Sequence, residues 1–461
     1  MRSRTLRAIF GISNSILICT VIVSTVVALP VDCASAAPVH PLFLDRLNYQ
    51  AGQFPYGVCA ADFDGDGTVD LAVSRDWTDP QIYILKGHGD GTFQAGHTYS
   101  LNNAASAIAG ADVNGDHVPD IVVIVRLSNA VAVLLNNGDG TFQAPAYYNT
   151  GYGPTSLTET DLDGDGDIDI AVGDAGYTAG GGDSLSVLLN NGNGTFATAV
   201  RYDCGGPQWS VTSGDFDGDG DIDLVAGTGR DSIAVFMNAG SGTFGAPTKY
   251  FADSGFMYTC TGDFDGDGKL DLAAVNQNEF GIGDTLRVLM NNGDGSFRPG
   301  AKYLYDQGAT KLIAADVDGD SRIDVITSNL RNPGSVQVFI GNGDGTFQPP
   351  LFFAAQAFAN DVCAVDIDKD GDLDLVTANF FANTASILFN FTNYICGDLN
   401  GWNGGPDLED LAYLINHLFH STAAPLPLEA GNIDGDGVLD VADVVYLIDY
   451  LYFDGSKPTC K

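Results

Sequence analysis

An acidic stretch, DFDGDGTVD at 62–70, recurs along this chain with leading residues Asp62, Asp112, Asp161, Asp215, Asp263, Asp316 and Asp366, at intervals of 48 to 54 residues. A second signature, GDGTF or a near relative, ends at Phe93, Phe142, Phe196, Phe244, Phe297 and Phe347. Each of these Phe residues lies 19 residues before the next leading Asp, so half of the repeat has fixed length and the other half carries all the variation. The seventh Phe is at the wrong end of the chain. Phe43 stands 19 residues before Asp62, and LDRLNYQAGQFPYGV after it aligns with QAPAYYNTGYGPTSL after Phe142. Beyond Asp374 the last repeat runs through ASILFN and reaches no GDGTF. The first segment therefore reads as the final strand of the last repeat.

A period near 50 residues with four strand-like runs is the size of a propeller blade. Blade one reads as an inner strand (YGVCAAD), the acidic loop, a second strand (DLAVS), a variable loop, a third strand (QIYILK) and an outer strand after GDGTF. An open array leaves two sheet edges unpaired, whereas closure by the N-terminal strand protects them. The expected fold is all-β: a seven-bladed β-propeller over 37–393, closed by its N-terminal strand, with a small α-helical domain over 394–461. Small residues precede most leading Asp residues (Ala60 and Ala61, Gly110 and Ala111, Ser213 and Gly214), as strands crowded about a central axis require. Glu159 breaks that pattern and reads as a solvated channel residue.

Loop positions 1, 3, 5 and 9 carry oxygen ligands. They are Asp62, Asp64, Asp66 and Asp70 in blade one, then Asp112, Asn114, Asp116 and Asp120 in blade two. Blades three and four supply Asp161, Asp163, Asp165, Asp169, and Asp215, Asp217, Asp219, Asp223. Blades five, six and seven supply Asp263, Asp265, Asp267, Asp271; Asp316, Asp318, Asp320, Asp324; and Asp366, Asp368, Asp370, Asp374. Crowded carboxylates repel without a cation, and hard oxygen donors with a backbone carbonyl and water suit Ca²⁺ better than Zn²⁺. Position 12, where an EF-hand places a bidentate Glu, is Val73 in blade one, because the loop runs straight into a strand. With no helix pair to open, the metal reads as a staple and not a sensor. His117 and Ser321 replace the position-6 Gly and Lys369 the position-4 Gly, and blade two is expected to bind most weakly.

These repeats resemble the FG-GAP/VCBS family, which includes the propeller of integrin α-subunits; blade four even spells FGAP at 244–247. The resemblance spans roughly residues 41–393 and implies a secreted recognition or adhesion module. The C-terminal segment differs. NIDGDGVLDVADVVYLIDYLY at 432–452 opens like a propeller loop but continues with Val441, Val444, Val445, Ile448 and Leu451 at helical spacing. Its ligand set is Asn432, Asp434, Asp436, Asp440 and Asp443. An earlier copy supplies Asp398, Asn400, Asn403, Asp407 and Asp410. Paired loop-helix units of this kind resemble type I dockerins, which implies a cohesin-type partner. Where cellulosomal dockerins commonly carry hydroxyl residues after position 9, this chain has Leu408, Glu409, Val441 and Ala442. A Cys396–Cys460 disulfide would clip the module's ends together.

The chain has 59 acidic and 20 basic residues, a net charge of −39. Nucleic acid is excluded as a partner, since phosphate neutralisation needs clustered Lys and Arg. The proposed metal loops alone absorb 34 of the acidic residues. Arg2, Arg4 and Arg7 before an apolar run at 8–30, then ASA at 34–36, read as a signal peptide over 1–36. No later segment is apolar enough to span a membrane. Export permits disulfides, but six remaining cysteines in so long a chain do not make a disulfide scaffold. On the face opposite the acidic loops lie RDWTDP (75–80), GDAGYTAGGGDS (173–184), NQNEFGIGD (276–284) and ANFFANTA (378–385), with Phe54, Tyr56, Trp209, Phe256 and Tyr258 in the connections. Aromatics among Asn, Asp and Gly suit a glycan or a protein hot spot. No His pairs with a Ser or Cys nucleophile, so binding is expected; a displayed polysaccharide lyase is the alternative.

Overall fold

The computed structural model describes residues 43–76, 79–176, 183–229, 232–251, 256–277, 285–304, 308–330, 332–390 and 441–453, with Leu411 and Leu414. The expected signal peptide, the first dockerin-like loop, Cys396, Cys460 and Trp77 lie outside the described residues. Seven four-stranded antiparallel sheets form the blades of a propeller. In blade one, β2 (Pro55–Ala61) pairs β3 (Asp70–Arg75), then β4 (Gln81–Gly87) and β5 (Phe93–Ser100). The other blades repeat this order. The innermost strands contact one another in sequence around the ring, and Ala359–Val365 of the last blade meets β2 of the first.

The displaced strand closes the ring as its sequence register predicts. β1 (Phe43–Gln50) pairs antiparallel with Thr384–Asn390 and is the fourth strand of blade seven. Phe43 sits opposite Asn390, the place that Phe142 takes opposite Asn136 in blade two. Outer strands of blades two, three, four and six have only four residues. Pro145, Pro247 and Pro350, just before three of them, remove a ladder donor, which an outer edge tolerates.

The core lies between blades. Seven apolar clusters each draw residues from two neighbouring blades, and the second strand of each blade is buried throughout or nearly so. An aromatic pair marks every interface. The Phe of each GDGTF signature meets the aromatic ring six residues after the preceding blade's Phe: Tyr49–Phe93, Tyr99–Phe142, Tyr148–Phe196, Tyr202–Phe244, Tyr250–Phe297 and Tyr303–Phe347. The seventh pair, Phe353–Phe43, closes the circle. Centroid separations run from 5.0 to 6.1 Å in edge-on geometry, each pair contributing about 0.5–1.5 kcal/mol beyond its burial. The constant 19-residue span follows from this. It carries the chain from one aromatic wedge across a blade interface of fixed width to the next inner strand.

Near the C-terminus, helix α1 (Val441–Phe453) starts directly after Asp440. Val444 and Leu447 are buried against Leu411 and Leu414. No described helix is long and apolar enough to cross a membrane.

Candidate functional site

Each acidic loop is built by its own carboxylates. In blade one the Asp62 carboxylate accepts from the amides of Gly65 and Gly67, both at 2.8 Å. Asp64 accepts from the Asp66 amide at 3.3 Å and Asp66 from the Thr68 amide at 2.9 Å. Positions 4 and 6 are left-handed, with φ of 71° at Gly65 and 80° at Gly67. His117, Ser321 and Lys369 take the same conformation at φ of 66°, 67° and 66°. The loop shape thus survives all three substitutions, at about 1–2 kcal/mol of backbone strain each.

Position 9 has a second duty. Asp70 is buried; one oxygen accepts from the Phe63 amide at 3.2 Å and the other from the Gly87 amide at 2.8 Å. The pattern recurs in every blade, through Asp120, Asp169, Asp223, Asp271, Asp324 and Asp374. This carboxylate ties the loop to the end of the third strand. Burial pushes Asp70, Asp120, Asp169, Asp223 and Asp271 up to about 6, Asp324 to about 7 and Asp374 to about 8.

The carboxylates converge closely enough to hold a metal ion. Within 4.8 Å of one another lie oxygens of Asp62, Asp64 and Asp66; of Asp161, Asp163 and Asp169; of Asp215, Asp217 and Asp223; of Asp263, Asp265 and Asp271; and of Asp316, Asp318 and Asp320. Positions 1 and 3 therefore meet position 5 or 9, as the spacing implies. All donors in these groups are carboxylate oxygens, a set that fits a hard cation. Among the described residues, cations already pair with loop carboxylates in three blades: Lys86 Nζ donates to Asp64 and lies 3.3 Å from Asp66, Lys269 Nζ donates to Asp267 at 2.7 Å, and Arg322 lies 3.2 Å from Asp320.

Side-chain amides lock the loops of adjacent blades. Asn136 Nδ2 donates to Phe63 O of the preceding blade at 2.8 Å and to Pro119 O of its own loop at 2.9 Å. Asn190, Asn238, Asn291 and Asn390 do the same. Blades one and six carry Gly87 and Gly341 there. A Cβ at Gly87 would fall 2.0 Å from Val69 O, so the strand end lies against the loop where an amide bridges elsewhere.

The opposite face opens into the central channel, a cavity of about 490 Å³ lined by the inner strands. Five residues before each leading Asp the wall changes from blade to blade: Gly57 and Ala107 on one side, then Ser156, Ser210, Tyr258, Lys311 and Asp361. Tyr56 and Trp209, one residue earlier, stand at the same mouth. Bonds between blades hold its rim. Thr155 Oγ1 donates to Gln208 O at 2.6 Å, Ser210 and Thr259 hydroxyls lie 2.9 Å apart, and Asn360 Nδ2 donates to Tyr56 O at 2.9 Å. Both Asp361 oxygens accept from amides, Val58 at 3.1 Å and Val362 at 3.0 Å. Burial raises Asp361 and pushes Glu159, deeper in the channel, up to about 7, with Lys311 opposing both shifts. Burial also raises the Cys59, Cys260 and Cys363 thiols, so they are protonated and poor nucleophiles at neutral pH.

Beside the mouth, rings of Phe54, Tyr56, Phe358, Phe380 and Phe381 form one patch across blades seven and one, with centroids 4.5 to 6.4 Å apart. Phe54 and Phe358 hold φ of 54° and 60°, where blades three and six have Gly153 and Gly308.

The FG-GAP-like repeat model matches this chain at residues 62–123, 112–172, 161–226, 215–274, 263–327 and 316–377, well over half its length. The chain belongs to the FG-GAP-like repeat family. No curated protein matches it. Two solved structures titled as BBS1N in complex with ARL6DN, soaked with mercury and with lead, share its fold, with TM-scores of 0.53 and 0.52 at 12% identity. Each match covers 74% of this chain and 94% of the other.

Within this FG-GAP-like propeller the structure brings Tyr56, Trp209 and Tyr258 together at the mouth and places Phe54 in the adjoining patch. The Phe256 side chain and residues 177–182 and 278–284 lie outside the described set. Of the dockerin-like ligands only Asp443 is described, buried in the first turn of α1. Sequence reading missed the bridging Asn residues, the double bonding of position 9, and Lys311, Asn360 and Asp361. Lys311 had a signal: it stands in the repeat column where blades one and two have Gly57 and Ala107.

Proposed function

We propose that this protein is a secreted, calcium-stapled recognition module. The mouth of its channel binds a glycan or protein, and a dockerin-like C-terminal unit attaches it to a cohesin-type partner. The observation that carries the reading is the mouth itself: aromatic walls, hydroxyls and charged groups converge on one concavity, on the face whose loops vary most. Calcium is the cation that the all-carboxylate clusters suit best. When bound it neutralises loops that are otherwise self-repelling and fixes the first strand of each blade to the second. Basic residues before an apolar run support secretion, and the acidic opening of the segment before α1 supports the dockerin-like reading. The protein acts by binding and not by catalysis.

Full-length protein and its Trp209→Ala and Tyr258→Ala variants, immobilised in calcium buffer, are to be screened against glycan and extracellular-protein arrays. The expected result is a ligand retained by wild type and lost from both variants. Binding profiles identical across the three proteins would remove the mouth from the recognition surface.

A further inference from the structure

We propose that the mouth of the channel takes the terminal residue of an acidic sugar chain, with the Lys311 ammonium paired to its carboxylate. This rests on the mouth being the recognition site. A seven-fold scaffold makes most features the same in every blade, so ligand choice must come from where the blades differ. The column holding Lys311 is such a place. Among the described residues lining the mouth and the channel, Lys311 is the only Lys or Arg.

Most other polar groups of the rim are already engaged, the buried Ser156 hydroxyl being the exception. Thr155, Ser210, Thr310 and Asn360 bond across blade boundaries, and Asp361 has an amide on each oxygen. The Lys311 ammonium makes no hydrogen bond or ion pair among the described residues, although its charge is felt by Asp361 and Glu159. Asp361 is spent on backbone amides, and Glu159 lines the channel and not the mouth. The charged group left to meet a ligand is therefore a cation, and its complement is an anion.

The size of that anion follows from the donors. One ammonium is a point charge without the planar fork of Arg, and no described residue lining the mouth stands at a helix N-terminus, so a single carboxylate fits better than a phosphate. The chain's net charge of −39 opposes a long polyanion, yet is screened beyond about 8 Å at physiological salt. One acidic group at a chain end meets Lys311 without that penalty. Trp209 and Tyr258 supply flat faces for the C–H faces of a pyranose, whereas the Tyr56 ring has the Arg126 guanidinium 5.8 Å from its centroid. A peptide carboxyl terminus would also satisfy Lys311, but the Trp209 and Tyr258 rings favour a sugar, and trialanine separates the two.

The test titrates full-length protein in calcium buffer with digalacturonate and sialyllactose, against maltotriose and lactose as neutral partners and trialanine as a peptide terminus. Tryptophan fluorescence and calorimetry are the readouts. The acidic sugars should bind about tenfold more tightly than the neutral ones. Lys311→Met should erase that ratio while weak neutral binding survives; Lys311→Arg should keep part of it; Trp209→Ala should weaken both. Equal melting temperatures for wild type and Lys311→Met show that folding is not the cause. Acidic and neutral sugars binding alike, no binding of either acidic sugar, or a ratio untouched in Lys311→Met overturns the proposal. Trialanine binding lost in Trp209→Ala, with the sugars silent, overturns the sugar assignment and leaves the mouth as the recognition site. Binding indifferent to Trp209→Ala overturns both.

Discussion

Replacing Phe43 by Ala tests how the ring is closed. Phe43 is 5% exposed, stands opposite Asn390 and meets Phe353 edge-on at 5.0 Å. A buried Phe→Ala change costs about 3–5 kcal/mol, including the lost ring pair. Phe196 is the internal control: 7% exposed, bridged to Asn190 and 5.3 Å from Tyr148. If β1 is an ordinary outer strand, the two variants lose similar amounts. For a propeller of roughly 350 residues the unfolding entropy is about 0.7 kcal/mol/K, so the melting temperature should fall by about 4–7 °C in each. The Phe43 variant should also be cut by protease near Gln50, because loosening β1 uncovers the edge of Thr384–Asn390, whereas Phe196 lies inside a continuous blade. Differential scanning calorimetry with limited proteolysis reads both. A fall below about 1 °C for Phe43→Ala, with the control near 4–7 °C, would refute closure by the N-terminal strand.

Excess EGTA should lower the melting temperature steeply, since it strips the cation from crowded carboxylates; an unchanged melt would sink the staple reading. Lys86→Met should raise the number or affinity of bound Ca²⁺, measured by calorimetry with elemental analysis, because Lys86 already occupies the Asp64–Asp66 pair; identical isotherms would show that Lys86 does not compete. Asp174 is buried, with one oxygen accepting from the Ser184 and Ser186 hydroxyls, and burial raises it from 3.8 to about 6. A carboxyl raised on folding contributes stability that is complete below about pH 4 and lost as pH climbs through about 6, here by roughly 3 kcal/mol. Asp174→Asn should therefore gain on wild type between pH 5 and pH 8, and parallel melting curves would contradict this.

Much of the fold was legible because repetition turns one ambiguous strand into seven aligned ones. The fixed Phe-to-Asp span and the displaced Phe43 located blade number and closure before any coordinate was needed. The acidic loops were legible for a similar reason: their Asp residues and turn glycines are local chemistry, repeated at set offsets. The double role of Asp70 and its equivalents was hidden, because its second partner, such as Gly87, lies 17 residues away across a strand of variable surroundings. The bridging Asn residues were hidden for the same reason; Asn136 reaches a carbonyl 73 residues back in the chain.

The mouth shows the division most sharply. Trp209 and Tyr258 were visible as aromatics in connections, and Lys311 only as one of few cations. Nothing in their order along the chain says that residues from blades one, four, five, six and seven share one concavity. Sequence by itself determined the blade, the count, the closing strand and the pattern of acidic loops, since each depends on spacing within about one repeat. Only the tertiary structure decided which departures from the repeat meet, because ring closure places neighbours at the axis that lie up to some 300 residues apart, such as Val58 and Asp361.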